Sequence, residues 1–278
     1  MSAKYFLINN DFFKEGAATL HVSDLSVQRG YGIFDFFKTI DGKAIFLDDH
    51  LDRFFQSAQQ MHLKVQYSRE ALKELIAGLM ERNDIPDSGI KILLTGGYSI
   101  DGFTQPEQPN LIMMQSAFTA PLQFKPEGIK VITHEYQRPL SAMKTLDYSM
   151  AIWLQPQLKE KNVNDVVYHS GGYLKETPRA NFFIVTQDQE VITAKSDVLS
   201  GVIRKNILNL KNSGYQILER DFNLQDLANA SEAFITSTTK HILPVLEVDG
   251  RAVGNGKAGP ISNRLSDLLI QKVKEQII

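Results

Sequence analysis

The chain has 278 residues, 43% of them apolar and 22% charged, with a formal charge of −2. That composition excludes a disordered protein, and Lys/Arg interspersed with Asp/Glu leave no basic stripe for nucleic acid and no polybasic tail for a membrane. With no cysteine, disulfides, thiolate metal sites and a cysteine nucleophile are excluded too.

The first residues show no long apolar leader and no run reaches the length of a membrane span, so the expected location is cytoplasmic. The expected partners are small molecules and other copies of the chain. At about 150 residues per domain the length favours two domains.

In chain order, short strand-like runs alternate with helix-like ones, a mixed α/β or α+β pattern. "TIDGKAIF" (39–46) carries Asp-Gly between apolar residues and predicts a hairpin. "LDDHLDRFFQSAQQMHL" follows as a helix with Leu51, Phe54, Phe55 and Ala58 on one face, Asp48 or Asp49 as its cap and Arg53 near its beginning. "SREALKELIAGLMERN" (68–83) is a second amphipathic helix capped by Ser68, with Leu72, Leu75, Ile76 and Leu79 toward the core. "KILLTGGYS" and "NLIMMQS" read as strands flanking a glycine-rich loop. The Pro-punctuated stretch 120–128 reads as a linker, so the expected domains are residues 1–119 and 130–278, joined by 120–129. The second half continues with strand "IKVITHEY", helix "YSMAIWLQPQLKEK", a hairpin turning at Ser170-Gly171-Gly172, and an apolar strand after "LKETPRA". Helix "GVIRKNILNLKN" closes at Gly214, and strand "EAFITS", hairpin "EVDGRAVG" and a last helix from about Pro260 complete the chain.

Several residues are candidates for chemistry, each with a plainer reading beside it. Lys144 precedes a helix that carries Tyr148, but any cation can be a surface charge. Glu176 and Arg179 stand before a buried strand, where an exposed ion pair contributes ~0–1 kcal/mol. The backbone N–H groups of Gly201, Val202 and Ile203 open a helix and suit an anion, as every helix start does. Ser237, Thr238 and Thr239 follow a buried strand and offer hydroxyl and amide donors, or form an ordinary turn. The six histidines, His21, His50, His62, His134, His169 and His241, show no i, i+4 pair, and no metal is expected.

In order, "RGYGIFDFFKT", "HLDRFFQSA", "KTLDY", "ETPRANFF", "LSGVIR", "EAFITSTTKHILPV" and "DGRAVGNGKAGPIS" resemble the motifs of the class IV, or fold type IV, pyridoxal-phosphate aminotransferases. That family includes branched-chain aminotransferases, D-amino-acid aminotransferases and aminodeoxychorismate lyase. The resemblance covers roughly residues 5 to 265. It implies a small N-terminal α/β domain, a larger C-terminal pseudo-barrel domain with pyridoxal 5′-phosphate between them, and a homodimer.

The resemblance also implies roles. Lys144 matches the lysine that forms a Schiff base with the cofactor aldehyde and later carries the proton between the substrate α-carbon and the cofactor C4′. Glu176 matches the carboxylate facing the pyridine nitrogen. Tyr148 matches a donor to the 3′ oxygen. Arg53 matches the arginine that grips the phosphate, joined by the amides of Val202 and Ile203 and by Thr238. Ile203 departs from the family's usual threonine, which removes one hydroxyl donor and keeps the amide.

Transamination is the expected reaction. The lyase reading is weaker, since that subgroup carries threonine just after the phenylalanine where this chain has Asp35 and Phe36. The arginine and histidine with which the better-known D-amino-acid enzymes hold the substrate carboxylate fall at Asp101 and Phe103 in "LTGGYSIDGF". Arg179, with or without Arg29 from the neighbouring subunit, is the expected replacement, which gives an atypical D-amino-acid aminotransferase. The alternative is a branched-chain L-amino-acid aminotransferase, with the carboxylate on the amides of Thr238-Thr239 and with Phe34, Phe36, Tyr31 and Trp153 as apolar walls. Those aromatics also read as plain core. A binding module that has lost its chemistry is a third reading, against which Lys144 and Glu176 stand together.

Overall fold

The computed structural model describes residues 4–277. The chain divides into two compact units: one comprises Met1–Ala120, Met143–Asp147 and Gln276–Ile278, the other Pro121–Ala142 and Tyr148–Glu275. Lys144 therefore belongs with the first unit, although it follows the 120–129 stretch. No helix among the described residues is long and apolar enough to cross a membrane.

The first unit contains β1 (Tyr5–Ile8), β2 (Asp11–Lys14), α1 (Leu25–Arg29), β3 (Gly32–Ile40), β4 (Lys43–Ala44), α2 (Leu47–Gln60), α3 (Arg69–Asn83), β5 (Ser88–Thr95) and β6 (Leu111–Ala117). Its strands form one antiparallel sheet in the order β2-β1-β6-β5-β3-β4. Asp41 and Gly42 turn β3 into β4 with φ of 49° and 73°, the positive values that a two-residue hairpin turn requires. Leu51, Phe54 and Ala58 of α2 and Leu72, Ile76 and Leu79 of α3 bury their 3.6-period faces against Leu7, Ile33, Phe37, Ile90, Ile92 and Leu94. Ser68 caps α3 by accepting from the Ala71 N–H at 3.1 Å. The expected cap of α2 is different: Phe46, in the left-handed region at φ 53°, precedes the helix without a side-chain bond. Asp48 and Asp49 stand in its first turn, where they meet the positive end of the helix dipole.

The second unit contains β7 (Ile129–Glu135), α4 (Ser149–Trp153), α5 (Gln155–Glu160), β8 (Asp165–Ser170), β9 (Tyr173–Leu174), β10 (Glu176–Thr177), β11 (Ala180–Val185) and β12 (Val191–Thr193). Then follow α6 (Val202–Leu208), β13 (Ile217–Glu219), α7 (Leu224–Ala228), β14 (Glu232–Ser237), β15 (His241–Val248), β16 (Arg251–Ala252) and α8 (Pro260–Glu275). The sheet runs β13-β12-β11-β14-β15-β7-β8-β9, with β10 on β11 and β16 on β15. It curls, because the Lys175 N–H donates to Tyr168 O at 2.8 Å and so lays β10 beside β8. Phe182, Ile184, Ile192, Ile235, Val131 and Val167 fill the interior.

Two helices depart from the sequence pattern. The expected single helix over 148–161 breaks at Leu154 into α4 and α5, since Pro156 lacks the N–H that would continue the ladder. The helix expected to run to Gly214 stops at Leu208, with Asn209 as C-cap and its Nδ2 donating to Lys205 O.

Candidate active site

On β3 the two-residue alternation puts Ile33, Asp35 and Phe37 on the face that α2 covers. Ile33 and Phe37 are core, and Asp35, equally buried, takes its partners from His50 and Arg53, one turn apart on α2. Arg53 Nε donates to Oδ2 and Nη2 to Oδ1, each at 2.8 Å, and His50 Nδ1 lies 2.7 Å from Oδ1. A carboxylate only accepts, so Nδ1 carries the imidazole proton. Burial pushes the Asp35 carboxyl up, but the charges and hydrogen bonds of Arg53 and His50 outweigh it and hold the group well below the ordinary carboxylate range. Burial pushes the His50 ring down, aided by Arg53 and Lys144 against Asp35, so it is neutral near pH 7 with Nε2 buried and lacking a donor. The fork with Asp35 fixes the guanidinium and leaves Nη1 outside it.

Lys144 is held to the same strand. The Phe34 N–H donates to Lys144 O at 2.9 Å and the Leu146 N–H to Gly32 O at 3.0 Å, around an antiparallel bridge between Ile33 and Thr145. Gly32 permits this approach: a Cβ there would stand 2.8 Å from both Leu146 Cδ1 and Leu94 O. The Lys144 N–H reaches Ser57 Oγ at 3.3 Å, and its Nζ lies 4.4 Å from the centre of the Phe34 ring, which Lys91 Nζ also faces at 5.4 Å. An ammonium over such a ring gains ~0.5–1 kcal/mol.

In the second unit "LKETPRANFF" folds into a hairpin, Glu176 opposite Asn181 and Thr177 opposite Ala180, with Pro178-Arg179 at the tip. Glu176, 5% exposed, receives four donors. Arg138 Nε and Nη2 donate to Oε1 at 3.2 and 3.1 Å; Asn181 Nδ2 and the Leu199 N–H donate to Oε2 at 3.2 and 3.0 Å. Arg138 supplies the counter-charge, and its Nη2 also donates to Ser141 O. Asn181 Nδ2 further donates to Leu199 O at 2.8 Å, and its Oδ1 leaves room only for glycine at 201, where a Cβ would lie 2.0 Å away. Gly201 is the N-cap of α6, and the backbone N–H groups of the buried residues Val202 and Ile203 have no partner among the described residues.

The remaining expected residues are placed as follows. Tyr148 is the N-cap of α4 and half-buried. Thr238 is half-buried in the turn between β14 and β15, and Thr239 is exposed with Oγ1 3.3 Å from Ser237 Oγ. Arg179 is exposed; its backbone N–H meets Thr177 Oγ1 at 3.4 Å, and its guanidinium has no hydrogen bond among the described residues. Arg29, exposed at the end of α1, donates among the described residues only to the neighbouring Gln28 O. Tyr31 is tied to Met61 O at 2.6 Å, Phe36 lies over Gly89 and edge-on to Phe118, and Trp153 is 68% exposed. Asp101 accepts from Ser99 Oγ, Thr104 Oγ1 and the N–H groups of Phe103 and Thr104, so its carboxylate is consumed by its own loop. No cluster of His, Asp or Glu among the described residues is placed to hold a metal.

Sequence reasoning missed His50, Arg138 and Asn181. His50 was within reach as the i−3 neighbour of Arg53 on an otherwise apolar face. Arg138 had no signal, since its partner lies 38 residues away.

The mixed α/β architecture, with the curled sheet of its second unit, is that of the fold type IV aminotransferases. The chain belongs to the amino-transferase class IV family, which it matches over residues 32–248. It is similar to the D-alanine aminotransferase of Listeria monocytogenes serotype 4b (strain F2365), 30% identical, with 96% of this chain and 95% of that protein covered. It is also similar, at 27% identity over 94% of each chain, to the D-alanine aminotransferase of Staphylococcus haemolyticus. Among solved structures, the branched-chain amino acid aminotransferase from Escherichia coli superposes with a TM-score of 0.85 at 22% identity, over 95% of this chain and 92% of that one.

Proposed function

We propose that this aminotransferase acts on D-amino acids and receives the substrate α-carboxylate on Arg179, with or without Arg29. Pyridoxal 5′-phosphate, the cofactor of the class, supplies when bound an aldehyde that takes up the amino group and a ring that accepts the electrons of the broken C–H bond. The residues present fit it: Val202 and Ile203, both buried, have backbone N–H groups with no partner among the described residues, which suit a phosphate.

In this reading Lys144 holds the cofactor through Nζ and moves a proton between the substrate α-carbon and C4′. Arg53, through the Nη1 that the Asp35 fork leaves over, joins Val202, Ile203 and Thr238 in gripping the phosphate. Glu176 serves the pyridine nitrogen, with Arg138 and Asn181 fixing its two oxygens in place. Tyr148 donates to the 3′ oxygen. The working form is a cytoplasmic homodimer.

One observation carries the substrate assignment: Arg179 presents an exposed guanidinium at the tip of the hairpin that carries Glu176, with no hydrogen bond among the described residues. A carboxylate leaving water needs such a cation, because an unpaired buried charge is costly. The internal use of Asp101 supports the same reading, since that loop offers no cation of its own. The D-alanine names of the Listeria and Staphylococcus relatives agree with it. The branched-chain L-amino-acid reading is favoured by Phe34, whose ring stands over Lys144 as an apolar wall.

A panel of D- and L-amino acids with pyruvate or 2-oxoglutarate tests the assignment. Activity with D-amino acids and ping-pong kinetics are expected, and Arg179→Ala should raise the amino-acid KM at least tenfold while the absorbance of the bound cofactor is unchanged. An unchanged KM removes Arg179 from the site, and activity confined to L-branched-chain substrates replaces the reading with its alternative.

A further inference from the structure

The tip of the Glu176–Asn181 hairpin meets two other elements of the second unit. The β11/β14 pairing ends with Asn181 opposite Thr236, so the tip with Arg179, two residues before Asn181, and the turn with Thr238 and Lys240, after Thr236, leave the sheet at the same edge. The Lys175–Tyr168 bond brings the same hairpin along β8, which begins at Asp165. Arg179, Lys240 and Asp165 therefore gather: burial pushes the Asp165 carboxyl up and the Lys240 ammonium down, and the charge of Arg179 is a lesser influence on each.

Asp165 is only 4% exposed. Its Oδ1 accepts from the Val166 N–H at 3.0 Å, while Oδ2 accepts no hydrogen bond and lies 3.9 Å from Lys240 Nζ. A buried carboxylate beside an arginine ordinarily takes the guanidinium in a two-bond fork, the geometry that Arg53 and Asp35 show in the first unit. Here it does not: Asp165 has an ammonium as its ion partner, and the guanidinium is left over.

We infer that Lys240 is a positioning residue for substrate recognition: as the counter-ion of Asp165 it keeps that carboxylate from capturing Arg179, and so reserves the guanidinium for the carboxylate of an amino acid. The inference rests on the reading that Arg179 receives the substrate. The charge count agrees with it. Two cations and one carboxylate leave a single positive charge, which one incoming carboxylate neutralises; a second would be in excess.

The experiment uses the cofactor-loaded enzyme and compares Arg179→Ala, Lys240→Met, Lys240→Arg and the double variant Asp165→Asn/Lys240→Met, with a D-amino acid varied at saturating 2-oxo acid. Unchanged cofactor absorbance and a single cooperative melting transition confirm that each is folded. Lys240→Met should raise KM about tenfold with kcat within a factor of two. Lys240→Arg, which keeps the counter-ion, should leave KM within about threefold. The double variant should return to within about threefold of the parent, because the competing carboxylate has gone. Lys240→Met without effect, where Arg179→Ala raises KM, overturns the role of Lys240 alone. A double variant as impaired as Lys240→Met also overturns it, since Lys240 would then act on the substrate directly. Arg179→Ala without effect overturns the underlying reading and this inference together.

Discussion

Replacing Asp35 with Asn tests whether the first unit depends on its buried ion pair. Asp35 is 1% exposed and Arg53 8%, and every donor aimed at the carboxylate is charged or buried: Arg53 Nε and Nη2, His50 Nδ1 and the Phe36 N–H at 2.7 Å. An amide keeps one acceptor and turns its own N–H groups toward donors, while the guanidinium loses its counter-charge. Breaking a buried pair from one side costs about 3–5 kcal/mol, which at roughly 2–4 °C per kcal/mol lowers Tm by about 10 °C. The pH dependence has a definite sign. The folded carboxyl is held below its ordinary value, so its contribution is complete above the unfolded pKa of about 4 and is lost as pH falls further. Melting of both proteins between pH 7 and pH 3 should show the gap between them narrowing with acid. A gap under about 1 kcal/mol at pH 7, or one of equal size at both ends, refutes the reasoning.

Two further predictions concern stability. Glu232 accepts from the N–H groups of Ile261 and Ser262 at 2.9 and 2.8 Å and so caps α8 from a buried position; Glu232→Ala should cost about 2–4 kcal/mol and Glu232→Gln, which keeps one acceptor, about half as much by denaturant titration, and equal losses would argue against the cap. Burial lowers the Lys38 ammonium to about 7, so the unfolded chain binds more protons between that value and its ordinary range, and stability rises with pH through that window. Lys38→Met should therefore stabilise the protein more at pH 6 than at pH 9.5, by up to ~3 kcal/mol, and a gain independent of pH would contradict it.

Local signals foresaw local structure here. Asp41-Gly42 and Asp249-Gly250 turn with positive φ as their hairpins require, Ser68 caps α3, and the apolar stripes of α2 and α3 face the core. Pro156 carried a signal that the helical periodicity around it outweighed, and the chain breaks there. The site divides along the same line. Glu176 could be singled out from its motif, but its four donors come from residues 138, 181 and 199. Arg53 is legible near the start of its helix and Asp35 only by its position after Phe34, and nothing local in either stretch pairs the two.

What the amino-acid sequence determined by itself was the class of fold and the chemistry on offer. Alternation, helical periodicity and turn residues act over a few positions, and an ordered run of short motifs carries the resemblance to the class IV aminotransferases. Only the tertiary structure decided which charges neutralise one another. Asp35 takes Arg53, Glu176 takes Arg138, and Asp165 lies against Lys240, pairs 18, 38 and 75 residues apart. A buried charge must find its counter-ion through space, and no local preference of the chain records which one it finds. Arg179, exposed at the tip of the Glu176 hairpin, makes no guanidinium hydrogen bond among the described residues, and nothing in the residues next to it in the chain records that.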